Sequence, residues 1–510
     1  MADRLTRREV LRAGTGALVG LLAACSQQQA SKTPAPSPAA QSTGQAAAGT
    51  PAVSGEPRFD GVTLKYMSHP GQIHPIITHH LDYLKEKYGI SIQIIDSPDP
   101  TSYQDAMRDI RAGGGQFDIY MIFPRYNGEL AAAGGIRELD DLIQKYNAKP
   151  LWDNIMDAYR ILYSEWHGKI ITAPVDGDVA MMYYRKDAFE NPDYQKQFKE
   201  KYGFDLRVPR TWEECLKIAE FFTGWAWGPT GKPGYGFQTS TWDRAFIEQQ
   251  WAPMMASAGG NWLTEDLDPG WNNDAGTRAL IDLKHFLDFA PPGSISLSWN
   301  QTMETVFAND VAIILWYMDL GRLGWSPNSW FAKSGGPEKM KNIGYAEWPG
   351  YEINGKYRNY NSMFYGRVVA ISKFSKNPDA AFMVLKTLLT PERRVLSMDD
   401  DQSGSDMFLK TDYDPSVFKK LTPTKEFLDV AKVVITKGFP EMQIPGVGEY
   451  MDALQGQIHA YLTGSESDPK KALQAAAERW KEITDRYNRS KQKEYWLEVL
   501  ERYRKAGLQV

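Results

Sequence analysis

Cysteine is nearly absent from this chain of 510 residues, which has two, Cys25 and Cys215. The leader described below claims Cys25, so Cys215 has no partner within the chain and a disulfide framework is excluded. Cys215 shares a helix face with Trp212, Ala219 and Phe222, which suits a small buried hydrophobe better than a reactive thiol. Basic runs are missing too. The formal charge is −5, and no Lys/Arg-rich stretch supplies the positive surface that a nucleic-acid partner requires. After residue 24 no long apolar segment follows, so the body is expected to be soluble. The chain lacks G-x-S-x-G, H-E-x-x-H, a P-loop and C-x-x-C, so no familiar catalytic constellation is present, and no tandem repeat occurs. Histidine is scarce. Four of the seven lie at His69, His74, His79 and His80. Their spacing does not put three rings on one helix face, so no metal and no other cofactor is expected.

What is present begins with a charged patch, Thr6-Arg7-Arg8-Glu9-Val10-Leu11-Arg12. A short apolar run, Ala13 to Ala24, follows and closes on Leu22-Ala23-Ala24-Cys25. The run is too short to span a bilayer as a helix. The patch resembles the twin-arginine export signal and the closing tetrapeptide resembles the lipobox. Together they imply that residues 1–24 are a cleaved signal peptide and that Cys25 is lipidated. The protein is then exported and anchored to the cell membrane, facing the periplasm or the exterior. Cleavage removes four arginines against Asp3 and Glu9, which takes the formal charge from −5 to −7. Residues 25–58 carry the anchor and a tether of Ser, Gln, Ala, Pro, Thr and Gly whose only charges are Lys32, Glu56 and Arg58. Such a segment cannot bury enough apolar surface to fold, and as a coil it spans about 30 Å.

The remaining body, about 450 residues, is too large for one core and is expected to divide into domains. Val62, Leu64 and Tyr66 alternate as in a strand. Ile73, Ile76, Ile77, Leu81, Leu84 and Tyr88 recur at helical spacing, and Ile90, Ile92 and Ile94 alternate again. A helix over Tyr103 to Arg111, a turn at Gly113-Gly114-Gly115 and a strand over Phe117 to Met121 continue the series. This is an α/β pattern with a mainly parallel sheet, in which ligands sit outside the carboxyl ends of the strands. Thr211 and Glu214 make a capping box, Asn377-Pro378 starts a helix that Pro391 interrupts near Thr390, and Val311 to Tyr317 is a strand covered on both faces.

Five stretches carry a resemblance. Phe117 to Tyr120 with Leu130 to Asp140, His167 to Pro174 with Met182 to Asp187, Pro209 to Glu214, Ala258-Gly259-Gly260, and Val368 to Ala381 occur in the order found in extracellular solute-binding proteins. The chain is similar, from about Val62 to its end, to the family that includes the maltose-binding protein. The resemblance implies an α/β, type II periplasmic-binding-protein fold, with two lobes joined by crossover strands near 174–180 and 366–372 and a ligand cleft between them. The first lobe is assigned residues 59–177 and about 368–438, the second about 178–367 and 439–510. It also implies a monomeric receptor, not an enzyme, that closes on a small polar ligand such as a sugar, oligosaccharide or polyol and delivers it to the permease subunits of an ABC importer.

A sugar offers apolar ring faces and hydroxyl edges, so its receptor needs flat aromatics for stacking and carboxylates or amides for paired hydrogen bonds. On the first crossover Asp176-Gly177-Asp178 falls where the family has an acidic contact, although two aspartates flanking glycine also suit a plain turn. His69 follows the first strand, and Phe123, Arg125 and Tyr126 follow the third. Trp316 and Asp319 end the buried strand, with Trp316 suited either to ligand stacking or to the core. Phe364 and Tyr365 precede the second crossover. Glu449 and Tyr450 follow the Pro440 to Pro445 loop, and Trp242 completes the candidates. Two rival classes remain open: a secreted carbohydrate hydrolase with two cleft carboxylates, and a surface adhesin with no enclosed site.

Overall fold

The computed structural model describes residues 57–240 and 242–508. The leader, Cys25 and the tether through Glu56 lie outside the described residues. Arg58, expected to end the tether, is already held by the folded body. Its Nη1 donates to the Glu86 carbonyl at 2.9 Å, and the next N–H, of Phe59, donates to the Tyr88 carbonyl at 2.7 Å.

Short, largely apolar runs build two sheets from β1 (Thr63–Ser68), β2 (Ser91–Asp96), β3 (Ile119–Ile122), β4 (Ala173–Asp176), β5 (Ala180–Arg185), β6 (Tyr235–Thr239), β7 (Val311–Tyr317), β8 (Ile343–Ala346) and β9 (Arg367–Ile371). The first sheet has the order β2-β1-β3-β9-β4 and the second β8-β5-β7-β6. β1 runs parallel to β2 and β3, with Tyr66 opposite both Ile94 and Ile119. β9 enters antiparallel to β3 and β4, so the expected mainly parallel sheet is mixed. The reason is topological: β9 arrives directly from the second sheet, not through a helical connection on the first. All seven residues of β7 are buried, as a strand flanked by β5 and β6 and covered on both faces requires.

Two helices begin where their start signals place them, at Trp212 and Pro378, and two others depart from expectation. α1 spans Leu81–Tyr88. The helix expected to begin at Ile73 is broken into a 3-10 turn at Gly71–Ile73, a short helix at Pro75–Thr78 and α1. Pro75 has no N–H to continue the first turn, and the chain turns again at His80, whose N–H bonds the Ile77 carbonyl at 3.0 Å. α2 (Asp99–Arg111) starts four residues before the expected Tyr103, with Pro98 as its cap. α3 (Trp212–Phe221) carries the capping box of Thr211 and Glu214. α4 (Glu248–Ser257), α5 (Trp299–Thr305) and α6 (Asp319–Leu323) flank the second sheet, and α7 (Pro378–Leu389) packs on the first.

Two helices sit apart from their expected partners. α8 (Lys425–Val434) packs on β5 and β8, although the sequence assigns residues up to 438 to the first lobe. Its apolar face, Phe427, Leu428, Ala431 and Val434, finds Tyr345 of β8 at 5.5 Å between ring centroids. α9 (Val447–Leu462) and α10 (Pro469–Arg486) pair with each other and with α4 and the helix at Asp274–Asp288. α11 (Arg489–Lys505) returns to the first sheet's side, where Tyr495 stacks on Trp166 at 5.6 Å and Arg502 donates to the Glu165 carbonyl at 2.8 Å.

Three chain segments run side by side where the sheets meet. β4 passes to β5 through Gly177, Asp178 and Val179, and the approach to β9 lies against it: the Tyr365 N–H donates to the Asp178 carbonyl at 3.0 Å. A third segment joins through the Phe364 N–H, which donates to the Phe439 carbonyl at 2.9 Å. Gly366 lies in this junction with φ +94, and a Cβ there would sit 2.3 Å from the Asp176 carbonyl oxygen. Gly366→Ala is therefore expected to cost about 2 kcal/mol or more in urea unfolding, from a forbidden φ combined with a backbone clash. Gly464→Ala, at φ +79 in open space, is expected to cost only about 1 kcal/mol. Equal losses would contradict the close packing of the junction.

Candidate functional site

A cavity of about 460 Å³ opens where the two sheets and the crossovers meet. Its lining comes from the turn after β1 (Pro70 to Ile73), from Asp99 at the start of α2, from Asp178, Tyr365 and Arg367 on the crossovers, and from Phe246 and Gln249 around α4. Trp299 and Glu304 of α5, Tyr317 at the end of β7, Asp319 of α6, and Trp330 close the opposite side. The carboxyl ends of β1 and β7 thus point their loops into one space, as expected of ligand sites in α/β sheets.

Aromatic faces and acids dominate this wall. Trp299 is half-buried and packs against Trp316 and Tyr317, with ring centroids 5.2 and 5.4 Å apart. Tyr317 donates its hydroxyl to Gln249 Oε1, while Gln249 Nε2 has no partner in the protein. The Trp299 indole N–H and Asp319 Oδ1 are likewise without partners. Buried polar atoms are rarely left so, and at a cavity wall a ligand hydroxyl or a water can complete such a bond.

The electrostatics centre on Arg367. Its guanidinium reaches Asp176 at 2.7 Å, Asp178 at 3.2 Å and Asp99 at 3.1 Å, and its Nε lies 3.2 Å from His69 Nδ1. His69 Nδ1 lies 2.6 Å from Asp99. Burial works to raise the Asp99 pKa, but the charges of His69 and Arg367 outweigh it and hold the carboxyl well below its ordinary value. Asp178 moves the other way: burial, then the neighbouring charge of Asp176, push it well up against the pull of Arg367. Asp319 is pushed up to about 7 by burial, helped by Asp176 and opposed by Arg322.

Of the residues singled out in the sequence, Asp178, Asp319 and Tyr365 line the cavity. His69, Phe123 and Asp176 stand directly behind it. Phe123 packs on Tyr365 at 4.6 Å, and Asp176 is fully buried beneath Arg367, accepting the Asp406 N–H at 2.7 Å. Arg125 lies one step deeper, between Glu441 at 2.5 Å and Glu248 at 3.1 Å, with its guanidinium 5.2 Å from the Tyr365 ring centre. The others are elsewhere. Tyr126 stacks on Tyr103 at 4.4 Å, and Trp242 is buried with its indole N–H donated to Gln238 at 2.7 Å. Trp316 is in the core behind Trp299, and Phe364 packs edge-on to Tyr159 at 5.5 Å. Glu449 pairs with Arg486 and accepts from Tyr487 at 3.0 Å, and Tyr450 is buried with its hydroxyl 2.8 Å from Thr484.

Sequence reasoning missed Arg367, Asp99, Gln249 and Trp299. Arg367 opens an apolar strand and Asp99 precedes a proline, so neither carries a local functional signal. Trp299 had one: it follows Ser298, whose side chain caps α5, and an aromatic at the exposed start of a helix has no intrahelical reason to be there.

A raised carboxyl pKa has a definite consequence for stability. The contribution of Asp319 is complete below its unfolded value near 4 and is lost as pH rises through about 7. Asp319→Asn is therefore expected to be more stable than the parent at about pH 8, by up to a few kcal/mol at about 1.4 kcal/mol per pKa unit. The advantage is expected to shrink toward about pH 4 in urea unfolding. A difference that does not change with pH would contradict the burial of this carboxyl.

The family model described as "Bacterial extracellular solute-binding protein" matches residues 72–394. A probable amino-acid ABC transporter periplasmic-binding protein of Sinorhizobium fredii is 23% identical over 225 residues, which is 42% of this chain; the match spans about half, 46%, of that relative's length. Among solved structures, a solute-binding protein from Agrobacterium radiobacter in complex with ribitol superposes with a TM-score of 0.67 at 23% identity, covering 84% of this chain and all of the other. Maltose-bound MalE3 of T. maritima superposes at 0.65 with 19% identity, covering 83% of this chain and all of the other. At these identities the likeness establishes the fold, that of the type II periplasmic binding proteins.

Proposed function

The chain belongs to the bacterial extracellular solute-binding protein family, and from that premise we propose that it captures a small polyhydroxylated ligand for an ABC importer. The observation that carries this reading is the cavity between the two sheets, where the aromatic side chains of Trp299 and Tyr365 stand beside Asp178, Asp319 and the unpartnered Gln249 Nε2. Stacking faces flanked by fixed hydrogen-bonding groups are what a sugar or polyol requires. The ribitol and maltose named for the two superposed structures are ligands of the same chemical kind. An α-amino acid fits less well, because its carboxylate needs a free cation and the lining's Arg367 already faces three aspartates.

In this reading the ligand docks on one sheet's loops and closure of the other about the 177–179 and 366 crossovers excludes water, after which the permease subunits receive it. Residues 59–176, with 368–389 and α11, form the first lobe, and the second sheet with α8, α9 and α10 forms the other. The protein acts as a monomer. Its export by the twin-arginine route and its anchoring through a lipid on Cys25 rest on the leader's resemblance alone. Among the described residues no helix is long and apolar enough to cross a membrane, and the family is extracellular by description.

Two carboxyls in one cavity, Asp178 and Asp319, are also what a glycoside hydrolase uses. One experiment separates the readings: a thermal-shift screen of sugars, oligosaccharides and polyols, with product analysis of each hit. A receptor raises its melting temperature and returns the ligand intact, and Trp299→Ala weakens that ligand by about 10- to 100-fold, the scale of one lost stacking face with its burial. A cleaved hit would move the assignment to hydrolysis. Undiminished affinity in Trp299→Ala would remove the cavity from the account.

A further inference from the structure

The cavity's charge is strongly one-sided. Asp99, Asp178, Asp243, Glu304 and Asp319 line it, and Arg367 is the one cationic side chain among the described lining residues. That cation is already engaged by Asp99, Asp176 and Asp178. Glu304 has a counter-ion of its own on the surface, Lys333 at 2.6 Å. Of the inner pair, Asp178 shares Arg367 with two other aspartates, and Asp319 feels the charge of the buried Arg322, whose guanidinium donates its hydrogen bonds to the Met398, Ser403 and Ser405 carbonyls.

Three observations converge on this pair. Asp319 is 97% buried, from an exposure of 3%, and its Oδ1 accepts no hydrogen bond. Asp178 and Asp319 are near enough that the charge of the second raises the pKa of the first, so each carboxylate makes the other costlier to bury. Around them stand Trp299, Trp330, Tyr317 and Tyr365, whose ring faces attract cations as well as apolar surfaces. An ammonium between the two carboxylates would relieve their repulsion, supply a donor to the unpartnered Asp319 Oδ1 and sit among aromatic side chains. The unpartnered Gln249 amide, a donor, calls for a neutral acceptor such as a hydroxyl in the same ligand.

We propose that the ligand carries an ammonium group on a polyhydroxylated frame, as an amino sugar or amino polyol does, with its nitrogen held between Asp178 and Asp319. Acidic sugars and sugar phosphates do not fit, because the lining carries five acidic side chains and its one cation, Arg367, already faces three aspartates, which leaves no free cation to receive their charge. The inference rests on the cavity being the ligand site for a polyhydroxylated molecule and adds the charge of that molecule.

The test is isothermal titration of the whole protein at neutral pH and physiological ionic strength with matched triads. Each triad consists of a 2-amino-2-deoxy sugar, its parent sugar and its uronate, in the gluco, galacto and manno series. An acyclic triad of 1-amino-1-deoxysorbitol, sorbitol and gluconate completes the set. In at least one series the amine is expected to bind about tenfold or more tightly than the parent, the step from a neutral to a charge-assisted hydrogen bond, and the acid is expected not to bind. Asp319→Asn is expected to lower the ratio of amine to parent affinity at least several-fold, a readout that a partly unfolded sample does not distort, and Asp178→Asn repeats the measurement independently. A parent that binds as tightly as its amine in every responding series, or a ratio unmoved by both substitutions, overturns this inference and leaves the receptor for neutral sugars standing. Silence of all members overturns the inference together with the reading beneath it.

Discussion

One buried guanidinium organises the junction. Arg367 begins β9, and the groups that neutralise it come from separate parts of the chain: Asp99 from the start of α2, and Asp176 and Asp178 from either side of the first crossover. A charge this deep persists only if it is paired and hydrogen-bonded, and removing one partner of such a pair costs about 3–5 kcal/mol. Folding therefore has to bring the two crossovers into one register. Gly366, one residue earlier, lets the backbone approach Asp176 closely enough to do so. The same pairing fixes where Asp178 faces the cavity, so the crossovers and the cavity wall share one set of bonds.

A second charged knot stands behind the first. Arg125 follows β3 in the first sheet, and its partners are Glu248 of α4 and Glu441 of the third connecting segment. Burial, opposed by the Arg125 charge, pushes Glu441 up to about 7. Between the two knots lies Tyr365, with Phe123 on one side, Phe246 at 6.0 Å and the Arg125 guanidinium behind. A ring braced by aromatics and a cation is held in one rotamer at the cavity's edge, so contact with it would cost little further ordering.

The fold was legible where periodicity and caps decide it. The alternation of Leu64 with Tyr66, the seven-residue run of β7 and the capping box at Thr211 all depend on nearest neighbours in sequence. The placement of α8 and α11 was not legible, because an amphipathic helix specifies that it must be covered but not by which sheet. The site divides along the same line. Asp178, Asp319 and Tyr365 sit where strands end or cross, and strand ends can be read from a pattern. Trp316 and Tyr450 are equally large and aromatic, yet they are buried against partners on other elements, Trp299 and Thr484. Arg367 lay hidden in an apolar strand because its three aspartates are up to 268 residues away.

The central claim is that the space between the sheets is the ligand site and that crossover groups hold what enters it. X-ray diffraction from crystals grown with a saturating ligand from the sugar and polyol class tests it most directly. The account predicts ligand density in the cavity, within hydrogen-bond reach of Asp178 and Asp319 and against the rings of Trp299 and Tyr365. Density at any other surface, with the cavity holding only solvent, would contradict it.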